Sequence, residues 1–134
     1  MSKDTVRARE QARAQLDGIV ELVKALEGGG EVDEQMTREE VEETIQEAPL
    51  SVEVRTDWHA VGAEDDKPTE YNILLCTGGP AVRIIGDLDR YGEPETARIE
   101  YQDWFTPWEA YRDTSHDEEQ AMITYARQFY YGEG

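Results

Sequence analysis

The chain has 134 residues, with 31 Asp or Glu against 13 Lys or Arg, a formal net charge of -18 and a mean hydropathy of -0.76. That length suits one domain with a real core, and such a charge excludes a surface built to hold nucleic acid or an anionic membrane directly. A single cysteine, Cys76, excludes an internal disulfide and fits a reducing compartment. No apolar run reaches the roughly 20 residues of a membrane helix, and the opening MSKDTVRAREQ lacks the apolar stretch of a secretory signal, so the expected location is the cytoplasm.

The charge is unevenly placed. Residues 1–30 carry five basic and five acidic side chains, net 0; residues 31–49 carry eight acidic and one basic, net -7; residues 50–134 carry the remaining -11. The division of the chain follows this shift: an N-terminal amphipathic helix with a Gly-rich joint over residues 1–30, then a single α+β domain over 31–134.

Residues 4–27 are predicted to form a long helix. Ala12, Leu16, Ile19, Val23 and Leu26 recur at spacings of 4, 3, 4 and 3, an a/d seam that Val20 widens. The plain use of this stripe is packing on the chain's own sheet. The alternative is a homo-oligomer assembled through residues 12–26, as in a phage structural or scaffold component. Gly28, Gly29 and Gly30 then stop the helix.

A second, short helix is predicted over residues 38–47. Thr37 with Glu40 makes a capping box and Met36 with Val41 a hydrophobic staple. Val41, Ile45 and Ala48 form its inner face. Glu39, Glu40, Glu42, Glu43 and Glu47 cover the rest, beyond what a first-turn dipole effect explains. A dense single-sign field of this kind steers a partner of opposite charge.

Pro49 ends that helix, and alternation then sets in. Leu50 to Arg55 reads as a strand with Leu50, Val52 and Val54 inward. A loop from Thr56 to Thr69 carries Trp58, His59 and the acidic turn Glu64, Asp65, Asp66. Tyr71 to Cys76 and Ala81 to Ile85 flank Thr77-Gly78-Gly79-Pro80, an antiparallel hairpin signal. A polar connection leads to Ala97–Tyr101, where Ala97, Ile99 and Tyr101 face one side and Arg98, Glu100 and Gln102 the other. The aromatic segment Asp103 to Trp108 leaves the sheet at Pro107. Ser115 with Glu118 is a further capping box, opening a last helix from about His116 to Tyr130. The order α-α-β-β-β-β-α predicts an α+β fold: an antiparallel meander of about four strands over residues 50–105, two N-terminal helices and one C-terminal helix. Val52, Val54, Ile73, Leu75, Ile85, Ile99 and Tyr101 are its expected buried positions.

No residue cluster spells out a chemistry. The Gly-Gly turn lacks the Lys-Ser/Thr and following helix of a phosphate loop, and Cys76 suits a small buried residue better than a nucleophile. His59 and His116 are 57 positions apart, without the short spacing of a metal site. Glu100 and Asp103 could pair as acid and base, but carboxylates are frequent enough here for chance pairs. Trp104, Phe105 and Trp108 suit either a core closing the sheet or an interface hot spot. Base stacking on them would need a basic groove. No cofactor, metal ligand or catalytic residue is assigned.

Residues Tyr71 to Gly86, with Glu100-Tyr101-Gln102-Asp103-Trp104-Phe105-Thr106-Pro107-Trp108, resemble a family of small phage- and prophage-borne proteins. The resemblance covers roughly residues 50–131 and implies no activity. In composition the chain also resembles phage-encoded inhibitors of restriction and CRISPR systems, many of which use acidic surfaces to occupy nucleic-acid sites. That resemblance implies a non-enzymatic inhibitor or regulator whose partner is a basic, nucleic-acid-binding protein or complex. The resemblance brings no site residues; from the charge pattern the expected contacts are Glu39, Glu40, Glu43 and Glu47, then Glu64, Asp65 and Asp66, with Trp104 and Trp108 as the aromatic candidates. The alternative is a small ligand-binding or enzymatic domain with a site near Trp58-His59 and Trp104 to Trp108.

Overall fold

A computed structural model describes residues 3–29, 38–56, 58, 60–62, 68–78, 80–103, 106–129 and 131, with side chains at 6–27 in the first stretch and from 39 onward in the second. Helix α1 runs Lys3–Lys24 and widens into a π turn at Ala25–Gly29. Helix α2 is Arg38–Glu47, the strands are β1 Ser51–Arg55, β2 Glu70–Cys76, β3 Ala81–Asp87, β4 Arg98–Gln102 and β5 Glu109–Ala110, and helix α3 is His116–Ala126. The fold is α+β. The five strands make one antiparallel meander in the order β1-β2-β3-β4-β5.

The apolar stripe of α1 is core. Ala8, Ala12, Leu16, Ile19, Val23 and Leu26 are all buried in one cluster with residues of β2, β3, β4 and α3. Helix α1 lies against α3, β3 and β4. A pair of chains joined through residues 12–26 would have to withdraw these side chains from that cluster. Val41 and Ile45 of α2 join the same core. Ala48, expected on the inner face, is exposed, because α2 ends one residue earlier and the chain turns toward β1.

The hairpin forms as its turn requires. Strands β2 and β3 are antiparallel, with a bulge between Leu74 and Cys76, and Gly78 takes a left-handed φ of 102°. Tyr71, Ile73 and Leu75 alternate inward. Ile99 and Tyr101 of β4, and Ala97 just before it, are buried as expected.

Four sheet expectations need correction. First, the meander has a fifth strand. After Pro107 the chain returns at Glu109–Ala110 to pair with Glu100 and Tyr101, and a two-residue strand leaves no periodic signal. Second, Val52 and Val54 are on the expected face, opposite Ile73 and Tyr71, yet they are exposed. Strand β1 is the sheet edge, beyond the helices that lie over β3 and β4. Third, Ile85 is only half-buried, since it pairs with Asn72 and Arg98 on the face opposite to Ile84. Fourth, Glu100, expected outward, is buried among arginines on that second face.

Helix α3 begins as its sequence predicts. The Ser115 Oγ accepts from the Glu118 amide at 3.1 Å, and the Glu118 carboxylate accepts from the Ser115 amide at 2.9 Å. Met122, Tyr125 and Ala126 are buried, and the helix ends at Ala126, short of the expected Tyr130. Arg13 of α1 hydrogen-bonds both Asp17 and Glu118, tying the two helices together. These contacts hold the Glu118 carboxyl down at about 2, the Arg13 guanidinium being the largest cause and the Ser115 amide the next. An unfolded Glu titrates near 4.3. The stabilisation is therefore complete above about pH 5 and disappears as pH falls toward 2. Glu118→Gln keeps the cap but loses the ion pair, so it should cost about 1 kcal/mol at pH 7, a value discounted for screening at a partly exposed pair. Melting curves of the two proteins should converge as pH approaches 2. A gap that persists there would show that the effect is not electrostatic.

Candidate functional site

The acidic candidates on α2 stand on the solvent side of a helix that the core holds in place. Glu39, Glu40, Glu43 and Glu47 are all exposed, while Val41 and Ile45 are buried. Glu39, Glu43 and Glu47 repeat every four residues, so they form a stripe with a rise of about 6 Å per step. That is close to two phosphate steps along one DNA strand, about 6.8 Å. The helix is also held laterally by the Gln46 side-chain amide, which donates to the Gln128 carbonyl beyond α3. Val41 and Ile45 pack inward and Gln46 anchors the flank, leaving the carboxylates as the outermost groups.

Thr37 and Met36, the proposed helix-start pair, lie outside the described residues, as do Glu64, Asp65, Asp66, His59, Trp104 and Phe105. Trp58 is fully exposed. Trp108 is half-buried and lies neither in the core nor free in solvent. The Arg83 guanidinium sits over its ring, 4.1 Å from the centroid, which fits a cation–π contact. The core-closing use of these aromatics does not hold for Trp108, because Arg83 points away from the helix-covered face.

That open face carries a network that the sequence did not suggest. Arg83 donates through Nε at 2.9 Å and through its terminal nitrogen at 2.7 Å to one oxygen of Glu100, and Arg98 donates at 3.0 Å to the other. Burial opposes the charge on Glu100, but the bonds from Arg98 and Arg83 outweigh it and hold the carboxyl below its usual range. Glu100 is thus a fixed anion, a poor general acid or base near neutral pH. Arg55 reaches Glu70 across β1 and β2. Beside these groups is a cavity of about 260 Å³ floored by Asn72, Ile85 and Gly86. The Asn72 Oδ1 is buried without a hydrogen-bond partner among the described residues. Arg98 and Glu100 are neighbours on one face of β4, and the register of β3 against β4 brings Arg83 to the same carboxylate.

Cys76 is half-buried at the hairpin, with its Sγ 3.9 Å from the Pro80 carbonyl, and burial pushes its thiol up. A raised thiol is a weak nucleophile. Among the described residues, no three His, Cys, Asp or Glu side chains are grouped to hold a metal ion. No described helix is long and apolar enough to cross a membrane. Comparisons with protein-family models, curated proteins and solved structures found no match.

Proposed function

We propose that this protein is a non-enzymatic acidic inhibitor or regulator that docks on a basic, nucleic-acid-binding partner and competes there with nucleic acid. The supporting observation is the exposed stripe of Glu39, Glu40, Glu43 and Glu47 on a helix fixed by Val41 and Ile45. Nucleic-acid sites rest on Lys and Arg contacts to phosphates. A rigid row of carboxylates offers those cations a competing partner without the ordering cost of an unfolded chain. The net charge of -18 adds long-range attraction. The setting implied by the compositional resemblance to phage-encoded inhibitors is counter-defence, such as anti-CRISPR or anti-restriction activity.

The test is charge reversal. Glu39→Lys, Glu40→Lys, Glu43→Lys and Glu47→Lys together should abolish partner binding and leave the melting temperature nearly unchanged, since none of the four is a core contact. Binding by the wild type should weaken steeply with salt. The control set should avoid Asp87 and Asp89. Asp87 engages the Thr96 hydroxyl, and the Asp89 carboxylate accepts from the Tyr91 and Glu93 amides. Reversing the exposed Glu21, Glu27, Glu93 and Glu95 lowers the same overall charge and should slow association modestly, with little effect on dissociation.

A second reading, a small ligand-binding domain, is favoured by the cavity on the open face with its Asn72 acceptor, which has no partner among the described residues. On that reading Asn72→Ala and Arg98→Ala would remove function while the four reversals on α2 would not.

A further inference from the structure

We propose that β1 pairs antiparallel with the β1 of a second copy of this chain, with Val54 facing Val54 across a two-fold axis. The two edges of the sheet differ. Strand β5 is only two residues long, which is a common way to protect an edge. Strand β1 is five residues long and, among the described residues, has no neighbour on its outer side. Its helix-side positions carry none of the usual edge defences, no lysine, no proline and no inward charge. They are Leu50, Val52 and Val54, with relative exposures of 59%, 36% and 43%. Just beyond the strand, Trp58 is 102% exposed.

The sequence of β1 is self-complementary in one register. With Val54 on the axis, Glu53 of each copy falls opposite Arg55 of the other, giving two cross-strand ion pairs on the open face. Opposite charges directly across an antiparallel pair are favourable, and like charges are not. The register centred on Glu53 would instead set Glu53 against Glu53. On the helix side the chosen register sets Val52 against Thr56, the residue just after the strand. Arg55 already reaches Glu70 of its own chain, and a guanidinium has donors enough for a second carboxylate. The result is an isologous contact that joins two meanders into one ten-stranded sheet. The pairing uses none of the α2 carboxylates, so the variants that test it differ from those that test the proposed docking function.

Sedimentation of the full chain, at concentrations up to the millimolar range, tests the pairing. The wild type should be a dimer. Val54→Lys places two lysines on the axis and should weaken dimerisation by about 30-fold or more, with circular dichroism unchanged because Val54 is a surface position. Glu53→Arg should also weaken it, and adding Arg55→Glu should restore it, since the two ion pairs are then rebuilt with reversed polarity. In a Cys76→Ser background, Val54→Cys should oxidise to a disulfide-linked dimer, because opposed residues are about 4.5–5.5 Å apart at Cα, within disulfide reach. Val52→Cys should not link to itself. A wild type that stays monomeric, leaving the edge to some other protein's strand, would overturn the proposal. So would a dimer that Val54→Lys does not disturb, or one in which Val52→Cys self-links and Val54→Cys does not.

Discussion

Replacing Leu16 and Val23 with glutamate should unfold the protein. Both side chains are buried, Leu16 completely, in the cluster shared by α1, α3 and the sheet. Losing a buried leucine side chain alone costs about 2–5 kcal/mol. An unpaired carboxylate in its place adds a desolvation penalty of several kcal/mol. Two such changes exceed the roughly 5–15 kcal/mol that holds a domain of this size together. The expected result is loss of the cooperative melt and of most helical circular dichroism. A folded monomer would mean that the seam serves association and that α1 is dispensable to the core.

Gly86→Ala should lower the melting temperature by about 10 °C, the equivalent of about 3 kcal/mol. A Cβ at Gly86 would stand 2.1 Å from the Thr96 carbonyl oxygen, 2.8 Å from its carbon and 2.8 Å from the Tyr71 hydroxyl. Neither neighbour can yield cheaply. The Tyr71 hydroxyl donates to that same carbonyl at 2.6 Å, and the Thr96 hydroxyl accepts from the Asp87 amide at 2.9 Å. Moving them strands a buried hydroxyl as well as straining the backbone. Gly18→Ala is the contrasting control. Gly18 lies within α1 with nothing within 4 Å of the added carbon, so alanine there should stabilise by about 0.5–1 kcal/mol. If both substitutions shift the melt in the same direction, close approach at Thr96 is not what Gly86 serves.

What could be read from the sequence was whatever local periodicity and turn chemistry control. The Leu16–Leu26 stripe, the Gly78 hairpin, the Ala97–Tyr101 alternation and the Ser115 cap all depend on residues within one element. What could not be read depends on where an element ends up. Val52 and Val54 have the alternation of a half-buried strand and lie on the correct face, yet they are exposed because β1 became the edge. Glu100 looks like any outward carboxylate until the register sets it against Arg83, 17 residues earlier. The pressure on Gly86 comes from Thr96, brought back by the connection between β3 and β4. Of the site candidates, the exposure of Glu39, Glu43 and Glu47 follows directly from the helical repeat. The association of Trp108 with Arg83 has no signal in the chain.

Displacement is the measurement that bears most directly on the docking function. Wild-type protein and the fourfold α2 reversal are each used as bait in extracts of the native host. The protein retained only by the wild type is then loaded with labelled DNA or RNA. Wild type should displace the label at low salt and progressively less as salt rises, while the α2 variant should leave it bound. If the variant displaces the label as well as the wild type does, or if displacement ignores salt, the carboxylates of α2 are not the docking surface.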